Sequence, residues 1–157
     1  MQDLVIRIIA DGLIIPIMAI GVYALVYKVP KGKRIEAYSR ILLAGLTAYL
    51  FARLAASIYQ PGVERPFELL GVQAGAAYLN NPGFPSDHTL FITAIACAVW
   101  FETKMKKTTI LLASLILLVC IGRVLALVHT PMDVIFGVIF GLVGALWYIN
   151  SSKPLKK

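Results

Sequence analysis

The chain has 157 residues, 59% of them hydrophobic and 15% charged, with a mean hydropathy of +0.82. Soluble domains carry about 25% charged residues, so an ordinary soluble enzyme is excluded and an integral membrane protein is indicated. No stretch between the apolar segments is long enough for a separate soluble core, and one membrane-embedded domain over residues 1–157 is expected. The net charge of +7 does not call for nucleic acid, because its basic residues fall where anionic lipid would attract them.

A bilayer-crossing helix needs about 20 apolar residues, which predicts helices over 4–27, 38–59, 87–103, 108–129 and 131–149. The expected fold is all-α: a bundle of about five transmembrane helices. The first segment has no basic stretch ahead of it and no small-residue cleavage site behind it, so a retained span is expected. Within it Arg7 and Asp11 are spaced i, i+4 and are expected to pair on one helical face. Cys97 and Cys120 lie inside apolar segments, as small packing residues.

Orientation follows from the lysines and arginines. Lys28, Lys31, Lys33, Arg34 and Arg40 follow the first helix, Lys104, Lys106 and Lys107 separate the third from the fourth, and Lys153, Lys156 and Lys157 follow the fifth. With five spans all three clusters share one side. The positive-inside rule makes that side cytoplasmic, with the carboxyl terminus on it and the amino terminus outside the cell membrane.

The external loop over 60–86 carries "YQPGVERPF" and "NNPGFPSDH", and "HTPMD" joins the last two helices. Arg65, Ser86, His88, His129 and Asp133 are thereby expected at one face. Arg123 lies six residues before His129, about 9 Å down a helix. A charge there costs about 2.5 to 3.5 kcal/mol on insertion scales, so it needs an anionic partner, such as Glu64 or Asp133, or a function. In "FPSDH", Pro85 ends the loop and Ser86 suits the N-cap, leaving free N–H groups and the positive end of the helix dipole as a phosphate cradle. In "HTPMD", Thr130 suits the N-cap, Pro131 the first helical position and Asp133 the third, a capping-box arrangement. Asp133 is also four residues from His129, close enough to orient one imidazole nitrogen and leave the other free as a nucleophile.

Two further segments have packing readings. "FELLGVQAGAAYL" in the external loop is too short to span and is expected to form a short interfacial helix or to re-enter beside the site. Gly137, Gly141 and Gly144 in "GVIFGLVG" have close-packing spacing, expected to serve contacts within the bundle.

These motifs resemble the type 2 phosphatidic acid phosphatase superfamily, which also includes vanadium haloperoxidases. "RVLALVHTPMD" is similar to its third signature, "PSDH" to its second, usually Pro-Ser-Gly-His, and "ERPF" to the end of its first. The aspartate of "PSDH" with "RPF" upstream looks most like the bacterial undecaprenyl-diphosphate phosphatases related to bacitracin resistance. The resemblance implies that His129 attacks phosphorus and becomes a phosphohistidine, with Asp133 orienting it and His88 protonating the leaving oxygen. It further implies that Arg65, Arg123, Ser86 and the backbone N–H of Asp87 hold phosphate oxygens, with no metal or other cofactor. The implied substrate is a polyprenyl diphosphate, or alternatively phosphatidate or phosphatidylglycerophosphate. A non-enzymatic lipid-phosphate binding or transport component is the rival from another class.

Two departures from the family pattern stand out. Ile58 occupies the position of the usual lysine seven residues before the Arg-Pro arginine, and Arg53 is the nearest preceding cation. Arg53 is expected to replace that lysine only if the loop folds back over its helix. Gly122 stands where a serine usually precedes the third-signature arginine.

Overall fold

The computed structural model describes residues 2–60 and 64–151, and all regular structure among them is helical. Lys153, Lys156 and Lys157 lie outside the described residues. The first apolar segment forms α1 (Gln2–Arg7), a π-turn (Ile8–Gly12) and α2 (Ile14–Lys28). The irregular turn has a local cause: Pro16 lacks the N–H that would bond the Gly12 carbonyl, and its ring crowds that carbonyl. Leu13 N–H instead reaches back five residues to the Ile8 carbonyl (3.0 Å), the wider spacing of a π-turn. A 3-10 turn (Lys31–Lys33) leads into α3 (Arg34–Ile58). A long loop holding α4 (Pro66–Leu69) follows, and after it come α5 (Asp87–Thr103), α6 (Lys106–Leu125), α7 (Pro131–Val143) and α8 (Leu146–Ser151).

Helix α3 shows what holds the bundle together. Its buried residues are Ala37, Ala44, Ala48 and Ala52, while Leu42, Leu46, Leu50 and Leu54 are exposed. Water would favour the reverse arrangement. In lipid the leucines gain nothing by leaving the surface, and small residues let backbones approach closely. Among the described residues, four segments are long and apolar enough to cross a membrane: Asp3–Lys28, Lys31–Ile58, Lys106–Leu125 and Pro131–Ile149. The fifth expected helix, α5, has 17 residues, about 26 Å of helix, and packs against α2, α3, α6 and α7. Both cysteines are free and serve packing, Cys97 beside Ala44, Ala98 and Tyr148, and Cys120 against the Ile92–Val119 core.

The glycines of α7 act within the bundle. A Cβ at Gly141 would lie 2.7 Å from both the Leu90 carbonyl oxygen of α5 and Thr93 Cβ, and one at Gly144 would lie 2.6 Å from the Ala44 carbonyl oxygen of α3. Cationic residues collect at one end. Arg34 donates to the Val26 carbonyl (2.7 Å) and Tyr38 to the Leu25 carbonyl (3.2 Å), while Arg40 holds Glu102 through Nε and Nη2 at 2.8 and 2.9 Å. Asp87 and His88 open the opposite end of α5, about 24 Å away along the helix.

Several expectations are corrected. Arg7 does not hold Asp11: the π-turn rotates Asp11 toward α6, where it pairs with Arg123. The fourth helix ends at Leu125 and not near 129, because Leu127 turns left-handed (φ 60°) and Pro131 disfavours helix in the residue before it. Arg123 is therefore in the last turn of α6. Among the described residues of the loop between α3 and α5, only Pro66–Leu69 is helical; Phe67 and Ala76 are buried, and Leu69, Leu70, Val72 and Leu79 are exposed.

Candidate functional site

The amino-terminal ends of α5 and α7 are locked side by side. Ser86 N–H donates to the Asp133 carbonyl (3.0 Å), and Thr89 Oγ1 donates to the Ser86 and Val134 carbonyls (3.1 and 3.2 Å). Gly137 permits this approach, since a Cβ there would stand 2.6 Å from the Ser86 carbonyl oxygen. Ser86 occupies the N-cap of α5, but its hydroxyl does not cap. Its Oγ is buried with no hydrogen-bond partner among the described residues. The α7 cap forms as a capping box: Thr130 N–H donates to Asp133 Oδ2 (2.7 Å) and Asp133 N–H to Thr130 Oγ1 (3.2 Å).

That box fixes the carboxylate beside His129. Asp133 Oδ2 lies 3.7 Å from His129 Nδ1, beyond hydrogen-bond distance, and Nδ1 has no hydrogen-bond partner among the described residues. Gly83 covers the pair: a Cβ built on it would be 3.4 Å from Arg65 Nη1, 3.5 Å from Asp133 Oδ2 and 3.6 Å from His129 Nδ1. Three groups that are far apart in sequence thus face one point, and Nδ1 is the imidazole nitrogen on the aspartate side.

Arg65 ties the loop between α3 and α5 to the α6–α7 turn. Its Nη1 donates to the Val128 carbonyl (2.6 Å), and its Nη2 to the Leu79 and Asn81 carbonyls and Asn81 Oδ1 (all 3.0 Å). The carbonyls freed where α6 ends also receive loop N–H groups, Leu127 from Phe67 and Ala126 from Gly75, each at 3.0 Å. Burial pulls the Arg65 guanidinium below its ordinary pKa, against the opposing field of Asp133. For His129 burial likewise lowers the pKa, opposed by Asp133 and reinforced by Arg123 and Arg65. Neutral imidazole is the favoured form at neutral pH.

One narrow pocket gathers Arg65, Asp87, His88, Arg123 and His129, with Asn81, Pro82 and Gly83 over them. Its interior of about 10 Å³ is water-sized. His88 and His129 therefore share one end of the bundle. Ser86 and Asp133 sit just behind the wall, both buried.

Arg123 is fully buried. Its Nη1 donates to Asp11 Oδ1 (2.7 Å), and Asp11 Oδ2 accepts from Ala77 N–H (2.8 Å). Neither Glu64 nor Asp133 is the partner. Arg123 Nε has no hydrogen-bond partner among the described residues. Gly122 has a structural reason here: a Cβ would stand 2.8 Å from the Ala10 backbone nitrogen, so glycine lets the π-turn approach α6. Sequence reading missed Asp11 as part of the site, and its signal was Pro16, which disturbs the helix just where the carboxylate must turn.

Arg53 does not line the pocket but is tied to Asp87, which does, without any folding back of the loop. From α3 its Nη2 pairs with Asp87 Oδ1, both side chains being about one third exposed, and its guanidinium lies over the Tyr49 ring (5.1 Å). Ile58 is 78% exposed at the end of α3 and contributes nothing to the pocket.

No curated protein and no solved structure matches the chain. The family model of the PAP2 superfamily, which indicates a phosphatase acting on lipid phosphates, matches residues 37–157. That stretch contains the pocket lining from Arg65 to His129 together with Arg53 and Asp133, though not Asp11. The chain belongs to the PAP2 superfamily.

Proposed function

We propose that this protein is a membrane diphosphatase that hydrolyses a polyprenyl diphosphate, such as undecaprenyl diphosphate, to the monophosphate through a phosphohistidine. The observation that carries the reading is the convergence of His129 and two buried arginines on one pocket, with Asp133 behind His129. Asp133 favours the proton on Nδ1, which leaves the Nε2 lone pair free to attack the terminal phosphorus. The P–N bond forms as the bond from phosphorus to the bridging oxygen breaks, and polyprenyl monophosphate departs. His88 supplies a proton to the leaving oxygen, then takes one from the water that cleaves the P–N bond to release phosphate.

Positioning and charge do most of this work. Arg123 Nε, Ser86 Oγ and the first N–H groups of α5 are the donors offered to the phosphoryl oxygens. Arg65 keeps Nε–H and one Nη1 hydrogen after its carbonyl bonds are counted. Entry of a phosphate requires the 79–83 loop to open, and Arg65 then exchanges loop carbonyls for phosphate oxygens. The distance from His129 to Asp133 shortens in the loaded site, as such hydrogen bonds commonly do.

The basic end of the bundle, opposite the pocket, supports a cytoplasmic carboxyl terminus and an extracytoplasmic site in the cell membrane. The test is phosphate release from a polyprenyl diphosphate by protein purified in detergent, with divalent metal chelated and with vanadate as inhibitor. Turnover in the wild type and its loss in His129→Ala, with an acid-labile phosphoprotein trapped only in the wild type, are expected. Binding of the diphosphate without phosphate release would make the protein a lipid-phosphate binder and end this reading. Cysteine labelling at residues 80 and 104 from outside intact cells tests the orientation, which requires residue 80 alone to react.

A further inference from the structure

The ion pair of Arg53 and Asp87, beside the pocket, adjoins an apolar groove. Arg53 stands beside Asp87, which itself lines the pocket. Its Nε is buried with no hydrogen-bond partner among the described residues. Tyr49, whose ring lies under the Arg53 guanidinium, is also the upper wall of a groove of about 500 Å³ between α3 and α5. Phe91, one turn beyond Asp87, faces it from α5. From there the groove continues past Gly45 and Ala94 to Leu25 and Tyr148, so it runs at least 12 Å or so along α3. A charged head and an apolar slot are thus continuous.

We infer that Arg53 and the α3–α5 groove form the subsite for the lipid half of the substrate: Arg53 holds the lipid-proximal phosphate, and the groove holds the polyprenyl chain. This rests on the diphosphatase reading above. A terminal phosphate at His129 takes the inner cations, Arg65 and Arg123. The second phosphate then lies on the lipid side of the pocket, where Arg53 is the cation available and where Nε offers a free donor. When the bridging P–O bond breaks, the electron pair moves onto the departing monophosphate, and Arg53 faces that growing charge. A monoester has no phosphate there, and its leaving group is the lipid alcohol.

A second groove of about 550 Å³ lies between α5, α6 and α7. Its flanking cation is Lys104 over Phe101 (5.4 Å), at the end of the bundle remote from the pocket. Charge complementarity therefore favours the α3–α5 groove for a chain that carries phosphate at the pocket end.

The test compares kcat/KM for a polyprenyl diphosphate and the matching monophosphate in wild type, Arg53→Ala and the double variant Arg53→Gln with Asp87→Asn, which leaves no unpaired carboxylate. A hydrogen bond to a charged group predicts a fall of about 10- to 100-fold in the diphosphate-to-monophosphate ratio. Equal losses on the two substrates in both variants overturn the inference and make the pair a structural tie. For the groove, Gly45→Leu is informative because a Cβ at Gly45 meets nothing within 4 Å. It should lower activity on a 55-carbon substrate relative to a 10-carbon one by about tenfold, since a filled slot excludes the chain. Ala113→Leu in the other groove should leave that ratio unchanged, and the reverse pattern refutes the assignment of the chain. Failure of the wild type on both phosphates would instead refute the diphosphatase reading itself.

Discussion

Replacing Asp11 by asparagine should damage stability and turnover together, through Arg123. Asp11 Oδ1 accepts from Arg123 Nη1 at 2.7 Å and Oδ2 from Ala77 N–H at 2.8 Å. Breaking a buried ion pair from one side costs about 3 to 5 kcal/mol. The Asp11 side chain is 26% exposed, so water screens part of that, and about 2 kcal/mol is the fair share. Asparagine keeps an oxygen for Arg123 but cannot accept from Ala77 with its amide nitrogen, a further loss of about 1 kcal/mol. The sum of about 3 kcal/mol corresponds to a melting temperature lower by about 6 to 12 °C for a domain of this size. A guanidinium displaced by about 1 Å costs about 100-fold in kcat. The assay is a cycle of Asp11→Asn, Arg123→Gln and the double variant, read by phosphate release and thermal unfolding in detergent. If Asp11 acts through Arg123, the double variant should be within about threefold of Arg123→Gln. Losses that multiply would refute the reasoning.

The pH dependence follows from His129, whose pKa is held below its usual value chiefly by burial. The acid limb of kcat/KM should therefore fall below pH about 6.5; a limb above that value contradicts the neutral, desolvated imidazole. A histidine with a depressed folded pKa favours the folded state above its unfolded pKa and loses that contribution as pH falls, so melting temperature should decline below about pH 6.5. His129→Gln should flatten that decline, and an identical slope in the variant would remove His129 as its origin. His88→Ala should slow monoester hydrolysis more than diphosphate hydrolysis, because a phosphate leaving group needs less protonation than an alcohol; equal losses in a paired assay would count against His88 as general acid. Gly137→Ala would put a methyl 2.6 Å from the Ser86 carbonyl, forcing α5 and α7 apart, so activity should fall more than tenfold, since misplacement near 1 Å is that costly. Unaltered kcat in that variant would mean that the α5–α7 contact does not position the site.

Much of the architecture was legible because a bilayer leaves the chain few choices: backbone groups in lipid must bond within helices, so apolar length alone located α3, α5 and α7. The capping box at Thr130 and Asp133 was legible for a similar reason, since four local residues satisfy it. The close packing of Gly137, Gly141 and Gly144 followed from their spacing. Where one residue's role depends on a distant backbone, sequence was insufficient. The i, i+4 spacing of Arg7 and Asp11 favoured a local pair, but the π-turn rotated Asp11 into contact with Arg123 more than a hundred residues away. The end of α6 was decided at Leu127, whose left-handed turn exposes carbonyls that Phe67, Gly75 and Arg65 then occupy. Arg53 was a lone cation in an apolar segment until α3 packed beside α5 and brought it to Asp87. Periodicity and caps are properties of neighbours in the chain, so the sequence determined the helices and their starts. Which charges meet depends on how those helices turn and pack, and only the tertiary structure decided that.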